Sequence, residues 1–149
     1  MLLNKINLSD YKLSRIMCID YGKKRVGFAL SDPLHIISYP KDYLLAEDQK
    51  YWEKIHKLIS ENEVKLVVIG YPYESNNTKI LEDIDKFIKS LANKNPDIDI
   101  IKQDENFTSQ KALNNMIESG MKKKDRKQKQ NVDMFAASVI LKEFLEENQ

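Results

Sequence analysis

Residues 64 to 70 read VKLVVIG, an apolar run broken only by Lys65. So little alternation over that length suits a strand covered on both faces, and such a strand needs a helical layer above and below it. The remaining periodicity supplies those layers. Tyr51, Trp52, Ile55, Leu58 and Ile59 recur at helical spacing and predict a helix over 48–62. Ile80, Leu81, Ile84, Phe87, Ile88 and Leu91 mark a second helix ending near Asn93. Strands are predicted at 15–20, 25–31, 37–44 and 97–104, with Pro40 directing the third of these to a sheet edge. Ala112, Leu113, Met116 and Ile117 define a helix that Gly120 can end in a left-handed conformation, and a last helix covers 131–147. The order β-β-β-α-β-α-β-α-α joins a meander to right-handed crossovers, so the expected fold is α/β, one mixed sheet with helices on both faces. Residues 1–14 show no period and read as an N-terminal extension of a single domain over 15–149.

A chain of 149 residues is long enough to bury a core and suits one domain. With 42% hydrophobic residues, 32% charged residues and a net charge of +1, bulk charge points to no partner. Its distribution says more, because Lys122, Lys123, Lys124, Arg126, Lys127 and Lys129 face only Asp125 and form a local basic patch. Cys18 is the single cysteine, so no intrachain disulfide can form, and its apolar surroundings read as an inert core thiol. The opening MLLNKINLSDYKL lacks the apolar stretch of a signal peptide, and no window approaches the roughly 20 apolar residues of a membrane span. The expectation is a cytoplasmic protein without a membrane partner.

Three acids stand at the ends of predicted elements. Asp20 closes the first strand, Asp104 and Glu105 close the last, and Asp133 opens the final helix. A carboxylate at the tip of an apolar strand costs several kcal/mol to bury unless it is paired or bound to metal. Helical steps from Asp133 reach Ala137, Ile140 and Phe144, which puts Asp133 on the apolar stripe. If the first and last strands run parallel, their C-terminal ends share the edge where open α/β sheets bind ligands. Clustered carboxylates would suit Mg²⁺ or Mn²⁺, and a two-ion site is one arrangement that cleaves phosphodiesters. Plainer roles stay open on these residues: Asp133 can complement a helix dipole and Asp104 can cap the next helix.

GYPYESNNT, residues 70–78, joins a buried strand to a helix, and Asn76, Asn77 and Thr78 could donate to a phosphate or simply cap that helix. The lysine-rich run could hold a nucleic-acid backbone or be a solvated flexible loop. His35 and His56 have no metal-ligand spacing, and Trp52 reads as core in preference to a base-stacking platform.

DYGKKRVGFALSDPLHIISYP, VVIGYPYESNNT, DENFTSQKA and VDMFAASVIL occur in that order between Arg15 and Leu145. Together they resemble the YqgF family of Holliday-junction resolvase-like proteins and pre-16S rRNA nucleases. The resemblance implies an RNase H-like fold with a five-stranded mixed sheet and metal-dependent phosphodiester hydrolysis. Carried onto this chain, it implies Asp20, Glu105 and Asp133 as the catalytic and metal-holding acids. Lys24 and Arg25 would lie near substrate or shape the hairpin. Asn106 stands where the family usually has arginine, and it offers no fixed positive fork to a phosphate. Tyr71 and Glu74 also depart from the family's loop.

The expected activity is an endonuclease, a hydrolase of ribosome biogenesis that processes the 5′ end of precursor 16S rRNA. Lys24, Arg25, Asn76, Thr78, Lys122, Lys123, Lys124, Arg126 and Lys127 are the expected nucleic-acid contacts. The partner would be precursor rRNA or a pre-ribosomal particle, met by a monomer or homodimer. The alternatives are a DNA-junction nuclease and a non-catalytic RNA-binding or ribosome-assembly module, the latter motivated by Asn106. A sugar-kinase-type ATPase would need two lobes that this length does not supply.

Overall fold

A computed structural model of the chain describes residues 1–105 and 108–149, with the backbone alone for 108–110. Asn106 lies outside the described residues. Six strands form one sheet: β1 (Leu2–Leu3), β2 (Ile16–Asp20), β3 (Arg25–Ser31), β4 (Ser38–Leu45), β5 (Leu66–Tyr71) and β6 (Asp99–Asp104). They lie in the order β1-β6-β5-β2-β3-β4. β2, β5, β6 and β1 run parallel, while β3 and β4 are antiparallel additions. β4, the strand that carries Pro40, is an edge as expected.

The helices are α1 (Tyr51–Glu61), α2 (Thr78–Lys94), α3 (Thr108–Glu118), α4 (Lys123–Arg126) and α5 (Lys129–Asn148). Strand alternation assigns the two faces of the sheet. Met17, Ile19, Val67 and Ile69 pack with Ile55, Ile59, Ile84, Phe87, Ile88 and Leu91 of α1 and α2. Ile16, Cys18, Leu66 and Val68 pack with Ala137, Ile140, Leu141 and Phe144 of α5. Each such aliphatic or aromatic side chain contributes about 1.5–3 kcal/mol on full burial, which explains why VKLVVIG carries no polar face. α3 lies outside α5, joined to it by Ala112, Ala136 and Val139. Among the described residues no helix is long and apolar enough to cross a membrane.

Four details depart from the sequence expectations. The sheet has six strands, because Leu2 and Leu3 pair with Ile100 and Ile101 at the β6 edge. The α-amino group of Met1 donates to Ile98 O at 2.7 Å, and Tyr11 donates to Asp99 Oδ2 at 2.7 Å, tying residues 1–14 to the sheet. The lysine-rich stretch folds one short helix, α4, and α5 starts at Lys129, two residues earlier than the apolar spacing indicates. Among the described side chains of α3 only Ala112 and Met116 are buried; Leu113 and Ile117 are exposed. Gly120 takes φ +80 just beyond α3, the left-handed stop anticipated there.

Candidate active site at the sheet edge

The parallel arrangement of β2, β5 and β6 puts Asp20 and Asp104 at one edge, with β5 between them. Glu105 follows β6 directly, its backbone N–H donating to Tyr71 O at 3.2 Å. Alternation along β2 aims Asp20 at the α5 face, two residues beyond Cys18. For Glu105 to reach Asp20 its side chain must cross β5, and Gly70 leaves the room. A Cβ at Gly70 would lie 2.5 Å from Glu105 Oε2 and 2.7 Å from Ile140 Cδ1. Asp20 and Glu105 thereby come close enough for each to perturb the other's titration.

Asp133 arrives from α5. That helix lies against β3 because Gly27, the ladder partner of Asp20, has no side chain to hold it off. A Cβ at Gly27 would stand 2.3 Å from Asp133 O and 2.9 Å from Met134 N. Ala136 and Ala137 continue the close approach. Asp133 heads the stripe anticipated from its spacing, with Ala137, Ile140 and Phe144 buried below it. Its Oδ2 accepts from Arg25 Nε at 3.1 Å.

Electrostatics mark this cluster. Burial, then the charges of Glu105 and Asp133, push the Asp20 carboxyl well above the usual carboxylate range. Burial also raises Glu105, against the hydrogen bond from Asp20 that favours its ionised form. Burial raises Asp133 too, and Arg25 works against that rise. Cys18 is fully buried, and burial plus the charges of Asp20 and Glu105 raise its thiol, consistent with an inert core residue.

Two buried carboxyls this close repel each other when both are ionised, a divalent cation would offset that repulsion, and their hard oxygens suit Mg²⁺ or Mn²⁺. Among the described residues no three side chains of His, Cys, Asp and Glu form a ready cation cage. Asp133 is engaged by Arg25, so it could join the other two only by loosening that pair. The donor set thus fits a cation through Asp20 and Glu105 first.

The other anticipated contacts are spread around this edge. Lys24 is exposed in the β2–β3 turn, and Lys23 pairs with Asp83 at 3.4 Å. Asn76 and Thr78 are exposed at the start of α2, where Asn77 acts as the cap, its Oδ1 accepting from Ile80 N. Lys122, Lys123, Lys124 and Lys127 are exposed and Arg126 is half-buried, on and beside α4 shortly before Asp133. No salt bridge involves these five among the described residues. Sequence reasoning missed Gly27 and Gly70 as determinants of the site. The only signal was a glycine inside each apolar strand, a recognised mark of close backbone approach.

A parallel core with an antiparallel extension and acids at the C-terminal edge defines an RNase H-like fold of the resolvase type. Thermus thermophilus RuvC in complex with a Holliday junction substrate has the same fold, with a TM-score of 0.59, 10% identity and coverage of 90% of this chain and 94% of that one. Fowlpox virus resolvase bound to Holliday junction DNA gives a TM-score of 0.51 at 15% identity, covering 89% and 97%. The family model described as "RuvX: Holliday junction resolvase" matches residues 14–147, and the chain belongs to that family. Its relatives include proteins named "Putative pre-16S rRNA nuclease". The one from Amoebophilus asiaticus is 40% identical over 135 residues, covering 89% of this chain and 94% of that one. The one from Bacteroides fragilis is 37% identical, covering 90% and 97%.

Proposed function

We propose that this chain is a Mg²⁺- or Mn²⁺-dependent endonuclease of structured RNA that trims the 5′ end of precursor 16S rRNA in the cytoplasm. The observation that carries the reading is the contact between Asp20 and Glu105, 85 positions apart in the chain, with Asp133 on the facing helix. A divalent ion held there supplies an activated water and neutralises charge on the departing oxygen. The chain's own part is positional. Asp20 and Glu105, the latter held across Gly70, would hold the ion in their ionised forms, and Arg25 orients Asp133 beside them. The exposed lysines around α4, with Lys24, Asn76 and Thr78, grip backbone phosphates without reading sequence. The relatives' name supports RNA as substrate, and a pre-ribosomal particle is its natural setting.

A second reading is DNA-junction cleavage, favoured by the family description and by the Holliday junctions bound to the two solved neighbours. It requires two symmetric cuts and hence a homodimer, whereas RNA trimming suits a monomer. The test offers precursor rRNA and a four-way junction side by side, with and without Mg²⁺, to the wild type and Asp20→Asn. The proposal expects metal-dependent RNA cleavage that Asp20→Asn abolishes while remaining folded. Undiminished cleavage by that variant would end it, and junction cleavage alone would transfer it to the second reading.

A further inference from the structure

Arg25 stands at the acid edge with most of its hydrogen-bonding capacity unused. It opens β3 two residues before Gly27, so strand alternation puts its side chain on the α5 face, just beyond the register of Asp20. Its Nε donates to Asp133 Oδ2 at 3.1 Å, and the two side chains stay 24% and 27% exposed. Neither Nη group donates to protein among the described residues, and neither is sealed from solvent. A guanidinium carries five N–H donors in a fixed fork, so four remain open beside the acids.

The chain has three arginines, and the other two are placed differently. Arg15 is committed at the opposite end of β2, to Ser31 O at 3.1 Å and the Tyr39 hydroxyl at 3.0 Å. Arg126 is half-buried on α4. Asp133 is near enough to Asp20 for its charge to act on that carboxyl. A cation held by Asp20 and Glu105 would therefore compete with Arg25 for Asp133. A phosphate would compete with Asp133 for Arg25, because a planar N–H fork matches phosphate oxygens as well as it matches a carboxylate.

We propose that Arg25 couples these two events: a divalent ion drawing on Asp133 frees the guanidinium for a backbone phosphate, and a phosphate drawing on Arg25 frees Asp133 for the ion. Cation and nucleic acid then assist each other's binding, because each takes one member of the same ion pair. Arg25 is a positioning residue toward the ion and a binding residue toward the substrate. The ion itself rests on the nuclease reading above; the competition for Asp133 rests on the 3.1 Å contact. A bracket that merely held α5 to the hairpin would act in the opposite direction, since Asp133 without it would lose its place and the ion would bind more weakly.

Neither arm of the test needs cleavage. In the first, Mn²⁺ is titrated into protein without RNA, and free Mn²⁺ is read by electron paramagnetic resonance. Arg25→Gln should bind Mn²⁺ about fivefold tighter than wild type, the scale of one half-exposed ion pair. Arg25→Met, which keeps the stem and removes every N–H, should do the same. In the second arm, in EDTA, fluorescence anisotropy follows a labelled single-stranded RNA. Asp133→Asn should tighten RNA binding about fivefold by releasing Arg25, and most of that gain should vanish when Arg25→Gln is added. Circular dichroism verifies the fold of each variant. Mn²⁺ affinity unchanged or weakened in both Arg25 variants, or an equal gain in RNA affinity with and without Arg25, would overturn the proposal. Both expected patterns in a protein that never cleaves would uphold the coupling and reject the nuclease; a wild type that binds no Mn²⁺ would reject both.

Discussion

Gly27→Ala is the sharpest perturbation of the geometry that brings the acids together. The new methyl would stand 2.3 Å from Asp133 O and 2.5 Å from Asp133 C, both backbone atoms that cannot rotate away. An ordinary contact begins near 3.4 Å, so α5 must withdraw by roughly 1 Å. Overpacking of that kind costs about 1–3 kcal/mol, and the lower entropy of unfolded alanine returns about 0.4–1 kcal/mol. At about 2–4 °C per kcal/mol for a chain of this size, a net loss of about 1–2 kcal/mol lowers Tm by about 2–8 °C. Because α5 carries Asp133, and a misplacement of about 1 Å can reduce a rate about 100-fold, cleavage should fall on that scale. Gly70→Ala separates the two effects, since its methyl meets only the side-chain ends of Glu105 and Ile140. It should stay within about 1 kcal/mol of wild type while displacing Glu105 from Asp20 and losing cleavage. Urea melts followed by circular dichroism, together with single-turnover cleavage, measure both. Wild-type stability in Gly27→Ala, or wild-type cleavage in Gly70→Ala, would refute the close-approach argument.

Asp20 and Glu105 both titrate higher in the folded chain than in the unfolded one, so the folded state binds more protons. Stability in EDTA should therefore fall as pH rises from the ordinary carboxylate values of 3.8 and 4.5 through the folded ones, and Asp20→Asn should flatten that fall in Tm measured against pH. Mg²⁺ at about 100 times its Kd should stabilise the wild type by about 2.7 kcal/mol in thermal melts, a gain that Asp20→Asn should lack. Replacing Lys122, Lys124 and Lys127 with glutamine should leave stability within about 0.5 kcal/mol. The same change should make the slope of log affinity against log salt shallower by about 0.7 for each lost single-strand phosphate contact, measured by fluorescence anisotropy.

Much of the architecture is legible in residue periodicity, because strands buried on both faces leave an unambiguous apolar run and α1 and α2 carry clean helical stripes. Asp20 stands out for the same reason, as an acid where the pattern calls for an apolar residue. Other features depend on partners that no local pattern names. Gly27 and Gly70 matter because α5 and Glu105 approach them, which is visible only once the sheet order is known. Arg25 and Asp133 are 108 residues apart, so their pairing leaves no spacing signal. β1 is two residues long, too short for a period, and is held through β6 and the terminal amine. α3 has a helical stripe in sequence, yet among its described side chains only Ala112 and Met116 are buried, and Ala112 packs on Ala136 and Val139 of α5 while Lys111 pairs with Glu143. Trp52 carries a core-like spacing but sits at the core's margin, only partly buried.

The proposed function requires Asp20, Glu105 and Asp133 to form one cation-dependent cleavage centre. Anomalous diffraction from crystals soaked in Mn²⁺ tests it most directly. Manganese density is expected against the carboxylates of Asp20 and Glu105, with Asp133 released from Arg25 toward it, and no such density in Asp20→Asn. Manganese bound only elsewhere on the wild-type protein, or bound equally well at this edge without Asp20, would contradict it.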